Sequence, residues 1–151
     1  MTEVRLAARS SEIDEALELR RRVFVGEQGV ALEADRDGLD RQATHIIAVD
    51  DERVVGTCRL VFEGELVRLG RMAVGPDARG RGIGAAMLAV AEQESRAAGA
   101  QRIRLHAQTV ARSLYERGGF VARGREFLEE GIPHVEMEKQ LAAELQEKPV
   151  A

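Results

Sequence analysis

The chain has 151 residues, a formal net charge of −4, 44% hydrophobic residues and 32% charged residues. This length indicates one domain, and the composition is typical of a soluble globular protein. Aromatic residues are only 3% of the chain and tryptophan is absent, which together with the negative charge argues against nucleic-acid binding. The N-terminus lacks the apolar core of a signal peptide, no apolar run is long enough to cross a membrane, and Cys58 is the only cysteine. These features predict a cytoplasmic protein without an internal disulfide.

The first half of the sequence predicts a strand, a helix and then several strands joined by short turns. Residues 3–8 alternate as in a strand, and residues 10–24 carry apolar side chains at helical spacing. We expect the polar stretch 26–43 to be a long loop, or a loop that contains a short helix. The runs at 45–49, 54–62 and 66–74 are separated by turn sequences, which favours antiparallel strands.

The second half alternates helices with strands. Residues 83–100 predict a helix that ends at Gly99, and a strand at 102–107, a short helix at 109–119 and two closing strands at 120–127 and 132–140 follow. A strand, a helix and another strand in this order imply a parallel crossover. We therefore expect one α/β domain over residues 1–140, with a mixed sheet of six or seven strands and helices on both faces, and a frayed tail at 141–151.

The stretch ARGRGIGAAM, at residues 78–87, opens the second long helix with three glycines and two arginines. Glycine disfavours helices, so such a beginning needs a reason. The first turn of a helix has unpaired N–H groups and a partial positive charge, and glycines let a ligand approach the backbone closely. This arrangement is suited to binding phosphate, and Arg79 and Arg81 can add charged hydrogen bonds. The alternative is a flexible turn with solvated arginines.

Two common phosphate-binding patterns fit this loop poorly. Gly80, Gly82 and Ala85 match the dinucleotide pattern G-x-G-x-x-G/A, but residues 75–78 separate the loop from the preceding strand. No acidic residue lies between positions 101 and 110 to bind a ribose, as that pattern requires. The P-loop pattern fails as well, because no Lys-Ser/Thr pair follows the glycines.

A third pattern fits the loop better. RGRGIG, at residues 79–84, matches Q/R-x-x-G-x-G/A, the coenzyme A pyrophosphate loop of the GCN5-related N-acetyltransferase (GNAT) family. LGRMAV at 69–74 resembles the family's fourth strand, and LHAQTVARSLYERGGF at 105–120 is similar to the segment A-x-x-x-Y-x-x-x-G-F after its fifth strand. The stretches VFVGEQGV and GIPHVEM further resemble a small branch of the family whose substrates are often unassigned. The sequence thus resembles this family over nearly its whole length.

The resemblance implies a single acyl-CoA N-acyltransferase domain with acetyl-CoA as co-substrate and no metal. In the family, two parallel strands separate, and backbone groups in the gap bind the pantetheine arm and stabilise the oxyanion. Here the gap would lie beside residues 102–107. The implied coenzyme-binding residues are Met72, Ala73, Val74, Arg79, Gly80, Arg81, Gly82, Ile83, Gly84 and Gln108. The family often has asparagine at the position of Gln108.

The implied reaction moves an acetyl group from acetyl-CoA to a primary amine by direct attack in a ternary complex. No cysteine is placed to carry the acyl group, which disfavours a covalent intermediate. Tyr115, the only tyrosine, matches the family residue that protonates the departing thiolate, with a core packing role as the alternative. Glu27, His45, His106 and His134 are candidate bases, each with a structural role as its alternative, and Glu27 and His134 are the two we retain.

The acceptor stays open at this stage. LEADRDGLD, at residues 32–40, is either a solvated acidic loop or a lining that favours a cationic acceptor, and residues 20–22, RRR, are expected on a helix face near its C-terminus. We expect a small-molecule or peptide amine as partner, with neither nucleic acid nor membrane, and a homodimer is one expected assembly because family members often dimerise. The rival functions are a non-catalytic acyl-CoA sensor, an acyltransferase for a different acyl-CoA, and a nucleotide-binding module.

Overall fold

The computed structural model describes residues 2–141. The strands are β1 (Thr2–Leu6), β2 (Thr44–Asp50), β3 (Arg53–Glu63), β4 (Leu66–Val74), β5 (Arg102–Gln108), β6 (Val121–Glu129) and β7 (Ile132–Gln140). The helices are α1 (Ser10–Arg20), α2 (Leu32–Asp35), α3 (Ile83–Ala97) and α4 (Arg112–Arg117). A π-helical segment continues α1, and two short 3-10 turns precede α3 and α4; these are Arg21–Glu27, Pro76–Ala78 and Thr109–Ala111. Within residues 2–141, no helix combines the length and the hydropathy needed to cross a bilayer.

All seven strands belong to one sheet, in the order β1-β2-β3-β4-β5-β7-β6. Strands β1 to β4 pair antiparallel, β4 and β5 pair parallel, and β7 pairs antiparallel with both β5 and β6. The predicted antiparallel series, parallel crossover and mixed sheet are confirmed. The insertion of β7 between β5 and β6 was not predicted, because chain order alone does not tell on which side of β5 a later strand will pair.

Helices cover both faces of the sheet, as expected. On one face, Ala16 and Leu19 of α1 pack with Ile47 and Ala73 of the strands. The other face is covered by α3 and α4 over the larger core, to which the completely buried Met87 belongs. Leu141, which the sequence assigned to the tail, is buried in this larger core, whereas the remainder of the predicted frayed tail, 142–151, falls outside the described residues.

The first helix is not α-helical to its end. After Arg20 it widens, and the N–H of Gln28 donates to the carbonyl of Val23 at 3.0 Å, five residues back. Such π-helical turns are rare and are often found at functional sites. In the widened turn, Glu27 accepts hydrogen bonds from Arg79, which lies in the segment after β4. The next residue, Gln28, accepts a hydrogen bond from Gln108 at the end of β5.

Buried ion pairs join α1 to the acidic segment 32–40 and to the sheet. The side chain of Arg20 is 1% exposed and donates to Asp35 at 3.2 Å and to Asp40 at 2.7 Å. Arg59 of β3 donates to Asp37 and, at 3.0 Å, to Asp40. The hydrogen bond from Arg59 holds the pKa of Asp37 well below its usual range.

These pairs decide between the two interpretations of the acidic segment. Three of its four acidic side chains neutralise buried or half-buried arginines, and only Glu33 is left as an exposed carboxylate without such a bond among the described residues. Arg20, expected on a solvated helix face, is instead the arginine in the middle of the network. The segment therefore serves as a structural element, and its aspartates are not free to bind a cationic acceptor.

We predict that Arg20→Met destabilises the fold by about 3–5 kcal/mol, because it leaves the buried carboxylate of Asp35 without its nearest cationic partner and removes one of the two arginines that bond Asp40. The measurement is chemical denaturation of the variant and the wild type. Arg21→Met is the matched control, since Arg21 lies next in the chain but pairs only with the exposed Glu18. Equal unfolding midpoints for the two variants would show that the network contributes no stability.

Candidate active site

A cleft of about 690 Å³ opens where β4 and β5 separate. The parallel pairing between these strands runs from residues 66–68 on β4 to 102–104 on β5, and in the described chain it does not continue beyond Arg68 and Arg104. The remaining parts, 69–74 and 105–108, stay paired to β3 and β7 on their outer sides. The two strands therefore face each other across a gap, at the position that the family resemblance implied.

A β-bulge in β4 accompanies this gap. Two residues of β4, Arg71 and Met72, lie opposite the single residue Cys58 of β3. Arg71 has a φ of 54°, a left-handed conformation that costs a non-glycine residue about 1–3 kcal/mol. Its guanidinium donates to the carbonyl of Ala34 at 3.0 Å and to the carboxylate of Asp37 at 3.1 Å. The acidic segment thus holds the bulge in place.

The glycine loop leads into α3 beside the cleft and leaves its backbone open. Gly80 and Gly82 have φ values of 78° and 76°, and a Cβ on either would meet no atom within 4 Å. Gly82 is the N-cap of α3, with no side chain bonded to the helix end. The first helical bond runs from the N–H of Ala86 to Gly82, so the N–H groups just before Ala86 lack an intrahelical partner. The loop therefore fits a diphosphate both in space and in charge.

Two other residues of the loop have packing roles. The side chain of Ile83 is 4% exposed and belongs to the core, so only its backbone can contact a ligand. A Cβ on Gly84 would lie 3.3 Å from the side chain of Leu114, which means that glycine here lets α4 approach α3.

Both arginines of the loop form ion pairs with carboxylates. Arg79 donates two hydrogen bonds of 2.7 Å to Glu27 and a third, of 2.9 Å, to the carbonyl of Val74. Arg81 donates to Asp50 at 3.1 Å. The bonds from Arg79 lower the pKa of Glu27. Because exposed ion pairs contribute little stability, a diphosphate can replace these carboxylates at small cost.

Tyr115 lies in the wall of the cleft and is 6% exposed. Its ring meets Phe120 edge to face, with 6.2 Å between the centroids. Its hydroxyl has no hydrogen-bond partner within residues 2–141. The hydroxyl oxygen is not completely buried, so it keeps some contact with solvent. Burial raises the pKa of Tyr115 above its usual value, and burial also raises the pKa of the nearby Cys58 thiol to about 12. Cys58 is only 1% exposed, so its thiol is shielded from solvent.

The three histidines have different positions. His45 does not line the cleft; its Nε2 bonds the carbonyl of Asp40 at 2.8 Å and so supports the acidic segment. His106 and His134 line the cleft on β5 and β7. The Nδ1 atom of His134 lies 2.6 Å from the carbonyl oxygen of Ile132. A carbonyl only accepts, so Nδ1 carries a proton, and in the neutral imidazole the lone pair is on Nε2.

The cleft brings together most of the residues predicted for the site: Glu27, Met72, Ala73, Val74, Arg79, Gln108, Tyr115 and His134. The other predicted residues, Gly80 to Gly84, follow Arg79 directly. Sequence reasoning missed Arg71, Phe127 and Glu129. Arg71 sits in a strand pattern that gives no sign of a bulge, and Glu129 precedes a turn where a charged residue is ordinary. Across residues 2–141, no group of three or more His, Cys, Asp or Glu side chains is arranged to hold a metal ion.

The chain was compared with known proteins. Residues 11–141 match the family described as acetyltransferase (GNAT) domain. The uncharacterized N-acetyltransferase YjcF of Bacillus subtilis is 33% identical over 135 residues, covering 89% of this chain and 96% of YjcF. An acyl-CoA N-acyltransferase from Pseudomonas aeruginosa is 28% identical, with a TM-score of 0.80 over 92% of this chain and 98% of that one.

A more distant structure shares the fold. The PaiA N-acetyltransferase of Thermoplasma acidophilum, solved in complex with coenzyme A, is 18% identical with a TM-score of 0.71, over 93% of this chain and 99% of PaiA.

The family match spans most of the chain, and the separated parallel strands, the open glycine loop and the helix N-terminus agree with it. The chain therefore belongs to the GNAT acetyltransferase family.

Proposed function

We propose that the protein is an N-acetyltransferase that moves an acetyl group from acetyl-CoA to a primary amine by direct attack in a ternary complex. The observation that carries this proposal is the gap after Arg68 and Arg104, in a cleft that is lined both by Arg79 of the open glycine loop and by Tyr115. A loop that binds a diphosphate, a gap that can hold an extended arm and a proton donor beside it are the parts that acyl transfer from a thioester requires.

Binding of acetyl-CoA would use backbone groups for the most part. The diphosphate would take the free N–H groups at the start of α3, and Arg79 and Arg81 would turn from their carboxylates toward it. The pantetheine arm would lie along Met72, Ala73 and Val74, with Gln108 on the opposite side of the gap. An N–H on the open edge of β4 would then donate to the carbonyl oxygen of the thioester as negative charge develops there.

Tyr115 would act as the general acid. Its hydroxyl is open to the cleft and free of other bonds, which a tyrosine with only a packing role has no reason to be. Its raised pKa keeps it protonated at neutral pH but also makes proton transfer to sulfur unfavourable on its own. The ammonium loses one proton before it attacks, and the nitrogen loses a second proton as the amide forms. This second proton would replace the one that Tyr115 gives up to sulfur as the C–S bond breaks.

His134 is the better supported of the two candidate bases. The carboxylate of Glu27 is held by Arg79, and its lowered pKa makes it a weaker proton acceptor. His134, in contrast, donates its Nδ1–H to a backbone carbonyl, so in the neutral imidazole Nε2 has the lone pair and can accept a proton in the cleft. The direct test of the function is to incubate the protein with acetyl-CoA and a panel of primary amines, and to measure thiol release together with the acetylated amine.

We predict that Gly82→Asp weakens binding of acetyl-CoA by about 100-fold or more, because a carboxylate would occupy the phosphate space with a like charge. The φ of 76° at Gly82 strains any other residue, but aspartate tolerates the left-handed region better than most, so we expect the fold to survive. Calorimetric titration measures the affinity. Gly64→Asp is the control, since Gly64 has a similar φ of 63° and open surroundings but lies in the β3–β4 turn. Equal affinities for the two variants would contradict the assignment of the diphosphate site.

We predict that Tyr115→Phe lowers kcat by about 100-fold or more and leaves the affinity for acetyl-CoA unchanged, because only the proton donor is removed. Steady-state thiol release with the best amine of the panel gives kcat, and calorimetry gives the affinity. A variant as active as the wild type would exclude the role of Tyr115. Absence of transfer to any amine by the wild type, with tight binding of acetyl-CoA, would favour the acyl-CoA sensor instead.

We predict that Glu27→Gln tightens binding of coenzyme A by about two- to fivefold, because it frees Arg79 for the diphosphate and removes a nearby negative charge. Competition with a fluorescent coenzyme A analogue measures the change. Glu18→Gln breaks the similar exposed pair with Arg21, far from the cleft, and is expected to have no effect. Weaker binding by the Glu27 variant would mean that the ion pair helps to form the site, and loss of turnover with intact binding would assign the base to Glu27.

A further inference from the structure

Four side chains on one face of β5, β6 and β7 form a group that we call the histidine–glutamate cluster: His106, Phe127, Glu129 and His134. The strand register produces it, because His134 of β7 lies directly opposite Phe127 of β6 on one side and Gln108 of β5 on the other. Positions two apart on a strand share a face, so His106 stands beside Gln108, and Glu129 beside Phe127. Three members of the cluster, His106, Glu129 and His134, line the cleft.

Aromatic packing and the hairpin turn hold the cluster in place. The ring of Phe127 is stacked on His134, with 6.0 Å between centroids, and meets His106 edge to face at 5.0 Å. The next two residues, Glu130 and Gly131, both have positive φ and close a two-residue turn that fixes the position of Glu129. Oε1 of Glu129 lies 2.9 Å from Nδ1 of His106, and Oε2 lies 3.7 Å from Nε2 of His134.

With a neutral imidazole, the pair formed by Glu129 and His134 lacks a donor. Nδ1 of His134 donates to a backbone carbonyl, so the neutral ring has its lone pair on Nε2, and the carboxylate oxygen that faces Nε2 is an acceptor too. The side chain of His134 is only 8% exposed, and no group in residues 2–141 comes within hydrogen-bond distance of Nε2. Two acceptors that face each other in a cleft, one of them on a nearly buried side chain, form a site for a group that donates more than one hydrogen bond.

We propose that this site binds the ammonium group of the acceptor, and that the substrate is therefore a cationic primary amine. An ammonium has three N–H donors: one would bond Glu129 and another Nε2 of His134. His106 is a positioning residue, because its Nδ1–H donates to Glu129 and keeps that carboxylate in place. This proposal rests on the proposed function and deepens it.

The site also supplies the proton transfer that the reaction needs. A lysine-type amine has a pKa near 10.4, so only about one molecule in a thousand is neutral at pH 7.4. One N–H bond of the ammonium breaks, its electron pair stays on nitrogen, and the proton bonds to Nε2 of His134. Glu129 then offsets the charge of the imidazolium, and the neutral amine attacks the thioester carbonyl. The other charged groups near the cluster are Glu136, 3.8 Å from Nε2 of His106, and Arg123, 3.8 Å from Glu136.

The test compares Glu129→Gln with Glu126→Gln. Glutamine keeps an oxygen for His106 but removes the charge, and Glu126 is an exposed residue of the same strand that does not line the cleft. With saturating acetyl-CoA and the best amine of the panel, we expect Glu129→Gln to raise the KM for the amine by about tenfold or more while the KM for acetyl-CoA stays unchanged. Glu126→Gln is expected to match the wild type. Equal amine KM values for the two variants would overturn the proposal.

A second measurement does not depend on turnover. Methylammonium has the charge and the three N–H donors of the substrate, and no acyl group is available to it when coenzyme A replaces acetyl-CoA. We expect it to bind the wild type and Glu126→Gln about tenfold or more tighter than Glu129→Gln in calorimetry with coenzyme A present. Equal binding to all three proteins would overturn the ammonium site. If the wild type releases no thiol with any amine but this difference in binding persists, the proposed function fails and the ammonium site stands.

Discussion

The end of the strand pairing at Arg68 and Arg104 is the constraint on which the site depends. Up to this pair, β4 and β5 are an ordinary parallel ladder; beyond it, each strand pairs only on its outer side. The bulge at Arg71 belongs to this constraint, because it interrupts the register between β3 and β4 beside the gap. A strained φ at Arg71 persists only when the surroundings hold it, and here the backbone carbonyl of Ala34 and the carboxylate of Asp37 do so.

Ion pairs determine which charges the walls of the cleft present to a substrate. The arginines on the α1 side of the cleft, such as Arg59 and Arg71, are matched by aspartates of the acidic segment, so this wall presents no net charge to a substrate. The arginines of the glycine loop hold exposed carboxylates that a diphosphate can displace. Glu129 differs from both groups, because its second oxygen lies 3.7 Å from Nε2 of His134 and is bonded to no arginine within residues 2–141. We therefore propose that the coenzyme binds at the end of the cleft with the displaceable ion pairs and the amine at the end with Glu129.

The sequence predicted the fold well, since hydrophobic periodicity and turn residues are local signals. It gave the span of β4 correctly, Leu66–Val74, and it identified the glycine loop and Tyr115 through motifs whose spacing the fold preserves. It did not predict where ion pairs form: Arg20 and Arg21 are neighbours in one charged run, yet one is buried and the other exposed. It also missed Glu129, because the pairing of β6 with β7 is non-local and places this residue beside two histidines that are distant in the chain.

The central claim is that the gap between β4 and β5 holds the acyl-carrying arm of the coenzyme, with its diphosphate on the N–H groups of residues 79–85. The most direct measurement is a crystal structure of the protein with acetyl-CoA. The account predicts the diphosphate within hydrogen-bond distance of those N–H groups and the thioester sulfur beside the hydroxyl of Tyr115. A coenzyme bound elsewhere on the protein, with Arg79 still paired to Glu27, would contradict the account.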